Sequence, residues 1–177
     1  MPRRFAVPLL TLALAAIAHA HDPYESWTAV ALRPNALEIN LTMAQSTALR
    51  LVDPEAKIRG LTEENFPAYR ARFEQEAATL YILTAGRVPL KPRKIVVEFT
   101  DENDIAFKMI YPRPPPGRLH FHAGFLRKLG DGYACILEAD DDEGHQLGWE
   151  QLTYVNPNFE IVVPVPAATA GAKKEKK

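Results

Sequence analysis

Cysteine occurs once, methionine three times, and basic residues do not outnumber acidic ones. A single thiol, Cys135, cannot close an intramolecular disulfide, so no covalent staple supports the fold even in an oxidising compartment. Its apolar setting in "YACILEA" predicts an inert buried thiol that packs like a small hydrophobe. With Met1 at the very start of the chain, only Met43 and Met109 remain for a thioether-rich copper site. The chain has 21 basic and 22 acidic residues. The first twenty residues carry Arg3 and Arg4, and the closing "KKEKK" carries four Lys and one Glu, which leaves 15 basic against 21 acidic in the body. That balance offers no cationic surface for nucleic acid.

Catalytic signatures are missing too. There is no Gly-x-Ser-x-Gly elbow, no phosphate-cradling glycine loop and no His-Glu-x-x-His. Cys135 has no neighbouring base to activate it. Carboxylates are plentiful but fall in turns and on a helix surface, so the expectation is a non-enzymatic chain. The acidic stretch "EADDDEGHQ" lacks the ligand spacing of a calcium loop and reads as a hairpin turn.

What is present begins with an export signal over residues 1–20. Arg3 and Arg4 precede the apolar run "FAVPLLTLALAAIA", and Ala18-His19-Ala20 places small residues before the cut. The run is too short for a span of roughly 20 residues, and no later stretch is long and apolar enough, so the mature chain is expected to be soluble, periplasmic or secreted. A domain over 21–166 and a disordered lysine-rich tail over 167–177 complete the expected organisation.

Within the domain the apolar residues mostly alternate. In "LEINLTMA", Leu37, Ile39, Leu41 and Met43 share one face, and Glu38, Asn40 and Thr42 the other, which is the period of a half-buried strand. "ESWTAVAL", "KIVVEFT", "DIAFKMIY", "RLHFHAGFL", "YACILEA", "QLGWEQLTYV" and "FEIVVPV" read as further strands. "PRPPPG" is a connection between sheets. "QSTALRLVD" reads as a short helical turn, with Ser46 placed to cap it. One segment changes period: Phe66, Tyr69, Phe73, Ala77 and Leu80 recur at steps of three and four. That pattern predicts one inserted amphipathic helix over about 65–83, capped by Asn65 and ended by Gly86. The expected fold class is a mostly β, antiparallel, immunoglobulin-like β-sandwich.

The histidines are the candidate metal ligands. A mature chain starting at His21 offers an α-amine and an imidazole, a chelating pair for copper or another transition metal. In "RLHFHAGF", Leu119, Phe121, Ala123 and Phe125 alternate with His120, His122 and Gly124, so a strand sets both imidazoles on one face, roughly 6–7 Å apart at the backbone. His21, His120 and His122 together form the candidate site. The plain alternative is that His21 only marks the cut and the His-x-His pair only decorates an exposed strand. Trp27, Trp149, Tyr24 and Tyr154 are candidates for a partner or glycan patch, although aromatics more often fill a core.

The start at His21 and the run "FLRKLGDGYACILEADDDEGHQLGWEQLTY" resemble exported β-sandwich domains found alone or ahead of membrane permeases of the nickel/cobalt hydrogenase-accessory type. The resemblance implies an immunoglobulin-like fold, a protein or membrane-protein partner, and an accessory or binding role. The chain departs from the fused arrangement in having no transmembrane segment, and from a minimal sandwich in its helix. Periplasmic copper-chaperone sandwiches also start with a histidine, but their methionine ligands are missing here. Three readings follow: an exported non-enzymatic binding or accessory module, a copper-like metal binder, and a protein-interaction module.

Overall fold

A computed structural model of the chain describes residues 22–55 and 57–165. The expected leader, His21 and the lysine-rich tail lie outside the described residues. The described elements run β1 (Glu25–Leu32), β2 (Ala36–Ala44), α1 (Gln45–Val52), α2 (Phe66–Leu80), β3 (Tyr81–Ala85), β4 (Val88–Leu90), β5 (Lys94–Phe99), β6 (Asp104–Pro112), β7 (Gly117–Ala123), α3 (Gly124–Leu129), β8 (Ala134–Asp140), β9 (Gln146–Thr153) and β10 (Asn158–Val163). They form a six-stranded sheet ordered β5-β6-β2-β1-β8-β9 and a four-stranded sheet ordered β10-β7-β3-β4. The chain is therefore mostly β, as the alternating patterns require.

The alternation sorts side chains as expected. Leu37, Ile39, Leu41 and Met43 are all buried, as are Ile105, Phe107, Met109 and Tyr111 one strand over. Leu83, Leu119, Phe121 and Ile161 face them from the four-stranded sheet and join the same core. Six strands cannot be covered by four, and α2 supplies the remaining lid. Its Phe73 ring packs on Phe107 of β6 at 6.1 Å, and Phe66 on Phe99 of β5 at 5.9 Å. "PRPPPG" carries the chain from β6 in one sheet to β7 in the other.

Several expectations are corrected. The six-stranded sheet is mixed, because β1 pairs with β8 in parallel, from Glu25 opposite Ala134 to Ala31 opposite Asp140. Three helices are present among the described residues: α1 is the short helical turn expected in "QSTALRLVD", α2 is the expected long helix, and α3 is the unexpected one. The long helix stops at Leu80, and Tyr81–Ala85 already runs as a strand. Gly86, with φ +61°, therefore does not end a helix: it is the first central residue of the two-residue turn that joins Ala85 to its partner Val88. Neither expected cap makes a side-chain hydrogen bond to its helix. The Asn65 side chain instead accepts from the Thr62 N–H at 2.8 Å and donates to the Gly60 carbonyl at 3.2 Å, shaping the loop before α2. The strand expected through "RLHFHAGFL" ends at Ala123 and turns into α3, which buries Phe125 and Leu126.

One polar cluster crosses the layers. Thr28 of β1 is fully buried, and its Oγ1 lies 2.7 Å from the Tyr81 hydroxyl, which arrives from the four-stranded sheet. The Cys135 thiol sits 3.2 Å from Thr28 Oγ1 and 3.5 Å from the Tyr81 hydroxyl. Tyr81 also presents its ring edge to Phe125 at 5.6 Å. Burial raises the Cys135 thiol above its ordinary value and Tyr81 well above its own, so both stay protonated and able to donate.

Removing only Thr28 Oγ1 leaves a buried phenol short of its best partner, which costs about 1–3 kcal/mol. Thr28→Val is therefore expected to lower the urea midpoint more than Tyr81→Phe, which loses about 1 kcal/mol. The double variant should be less destabilised than the sum, and strictly additive losses would show that the pair is not coupled. Because Cys135 is sealed and protonated, iodoacetamide should label the native chain far more slowly than the urea-unfolded chain. Mass spectrometry at matched pH reads the difference.

Candidate functional site

The outer face of the four-stranded sheet carries the His-x-His pair. In β7, Leu119, Phe121 and Ala123 point inward, so His120 and His122 point outward together, as the sequence pattern predicts. β10 sets Asn158 opposite His122, Glu160 opposite His120 and Val162 opposite Arg118. β3 sets Ile82 and Thr84 on the other side of the two histidines. Directly opposed residues have Cβ atoms about 4.5–5.5 Å apart, which brings each imidazole within reach of its neighbour on β10.

Both imidazoles use that reach in the same way. His120 Nδ1 is 2.9 Å from Glu160 Oε2, and His122 Nδ1 is 2.9 Å from Asn158 Oδ1. Each partner atom is an oxygen that accepts, an arrangement that favours the tautomer with its proton on Nδ1 and its lone pair on Nε2. The second oxygen of Glu160 accepts from Arg118 at 3.0 Å, which fixes the carboxylate in turn. Metal-binding histidines are typically held by this kind of outer hydrogen bond, which sets the tautomer and raises ligand basicity. The sequence pointed to the histidines but not to Glu160 and Asn158. Only the β7–β10 register reveals those two, and it joins segments 36 or more residues apart.

His21 lies outside the described residues. Its neighbour Asp22 lines a cavity of about 260 Å³ at the end of β1 and β2, with Glu25, Trp27, Thr42 and Asp104 around it. Trp27 and Thr42 are outward residues of the six-stranded sheet, whereas His120 and His122 lie on the outside of the other sheet. Among the described residues no three histidine, cysteine, aspartate or glutamate side chains converge as a metal cluster. His120 and His122 are thus a pair of donors, not a closed set.

The remaining candidates fall elsewhere. Trp27 and Trp149 are 44% and 51% exposed on the outer face of the six-stranded sheet, and Tyr24 and Tyr154 are also exposed, so none of the four serves as core filling. "DDDEGH" is a hairpin turn between β8 and β9: the Asp141 carboxylate accepts from the Glu143 and His145 N–H groups at 2.9 and 2.8 Å. The same carboxylate holds His145 Nδ1 at 3.1 Å. No helix among the described residues is long and apolar enough to cross a membrane. No protein-family model matches the chain, and a search of curated proteins finds no match.

The turn gives a pH signature. The hydrogen bond from its ring to the Asp141 carboxylate raises the His145 imidazole, and the His145 backbone N–H holds the Asp141 carboxyl below its ordinary value. A raised imidazole contributes below its unfolded value and loses that contribution as pH rises through the folded one. A depressed carboxylate contributes above its unfolded value and loses it as pH falls through the folded one. The pair is therefore fully formed between about pH 3.9 and 6.5, the ordinary values of the two groups. An NMR titration should find His145 above the ordinary imidazole value, and Asp141→Asn should bring it back down.

Proposed function

We propose that this chain is an exported, non-enzymatic binding module on an immunoglobulin-like sandwich, and that its ligand is a copper-like transition-metal ion held by Nε2 of His120 and His122. The observation that carries the reading is the pair of Nδ1–oxygen contacts from β10. An exposed strand pair that merely decorates a surface has no need of two oxygen partners that both free the same ring nitrogen. Imidazole nitrogen suits copper, and burial of Cys135 in the core takes the thiol out of the ligand chemistry of this face. In the exported form His21 would lead the mature chain, and its amine and imidazole are a second source of nitrogen. A partner protein or membrane protein would receive or deliver the ion.

Titration of Cu²⁺ into the chain secreted under its own leader tests this, with N-terminal sequencing expected to begin at His21. His120→Ala or His122→Ala should weaken binding by about tenfold or more, and Glu160→Ala by about 10–100-fold, the usual effect of losing an outer partner. Glu160→Gln keeps an oxygen acceptor and should retain most of the affinity. One extra residue ahead of His21 separates the terminal contribution. An unchanged affinity in the His120→Ala/His122→Ala double variant would sink the reading.

A further inference from the structure

Two imidazoles fill half of a four-nitrogen coordination shell; the one acidic group beside them, Glu160, is engaged by His120 Nδ1 and Arg118, and no three such donors converge among the described residues. The surroundings of the pair point to where the other half comes from. Ile82 and Val162 flank the histidine row from the two neighbouring strands and are 56% and 64% exposed. Arg118 and Glu160 neutralise each other within the same face. An outer sheet face with exposed aliphatics and an internally balanced charge can meet its own image without like-charge repulsion.

We infer that the metal site is completed by a second copy of this chain: the four-stranded sheets of two copies stack through their outer faces, and each contributes Nε2 of His120 and His122 to one shared ion. This rests on the copper reading above and adds the partner to it. A twofold axis makes the contact self-complementary, with the same residues on both sides. Two imidazoles per copy give four nitrogens, a shell that copper(II) accepts in tetragonal geometry. Ile82 and Val162 would be covered around the ion, removing apolar area from water on both copies. The ion then acts as the clasp of the dimer, and without it the small aliphatic contact is too slight to hold two copies together.

The experiment is sedimentation equilibrium with Cu²⁺ added in steps, beside the copper EPR spectrum, on the chain carrying one extra residue ahead of His21. That extension leaves the sheet site as the one under study. The expected result is a mass that doubles at half an equivalent of Cu²⁺ and returns to monomer with chelator, with hyperfine structure from four nitrogens. Ile82→Lys/Val162→Lys keeps the imidazoles but sets like charges face to face, and it should lose the dimer. One ion bound per monomer without association would overturn this inference and leave the copper reading intact. No binding at all would remove both. A dimer that forms equally without copper, or in the lysine variant, would also overturn the inference.

Discussion

The hydrogen bond between Thr28 and Tyr81 is the directional contact on which the layering depends. Apolar burial drives the two sheets together, but it is non-directional and tolerates sliding. A hydroxyl pair at 2.7 Å inside a dry interface does not, because any slip would strand a buried polar group. Tyr81 is also the residue at which the α2 helix gives way to β3. The same contact therefore fixes where the covering helix ends, how the four-stranded sheet sits over β1, and which thiol is sealed beneath it.

From that fixed point the outer face of the four-stranded sheet follows. Once Tyr81 and Leu83 face inward, Ile82 and Thr84 must face outward. The antiparallel register with β7 then places His122 and His120 beside them. The register of β10 completes the arrangement by bringing an oxygen to each imidazole. The chemistry of the face comes from strand pairing alone, with no loop involved. Sites carried on paired strands hold their geometry better than sites on loops.

Much of this was legible in the chain itself. The period-two pattern of β2 identified its buried face residue by residue, and the stripe from Phe66 to Leu80 located the long helix. The two outward histidines followed from Leu119, Phe121 and Ala123. The parallel pairing of β1 with β8 left no local mark, because parallel partners are not joined by a short turn. The change from strand to helix at Gly124 was hidden for a related reason. "GFL" continues the apolar rhythm of "RLHFHA", and it is the packing of Phe125 under Tyr81 that decides its conformation. The early stop of α2 was masked in the same way, since Tyr81 and Leu83 fit either period. Glu160 and Asn158 were out of reach because their meaning lies wholly in which strand they oppose.

The parallel β1–β8 pairing has a consequence for how the chain reaches this structure. Ser26 of β1 donates to the carbonyl of Ala134, 108 residues downstream. The central strand of the larger sheet must therefore wait for most of the polypeptide before its second neighbour exists. Contacts of such separation carry a large loop-closure entropy and slow the search for the native state. Until β8 arrives, the β1–β2 hairpin presents one bare edge, and the cysteine that β8 brings has no shelter. A chain emerging N-terminus first would pass through that interval every time it is made, with one strand edge open to wrong partners until β8 closes it.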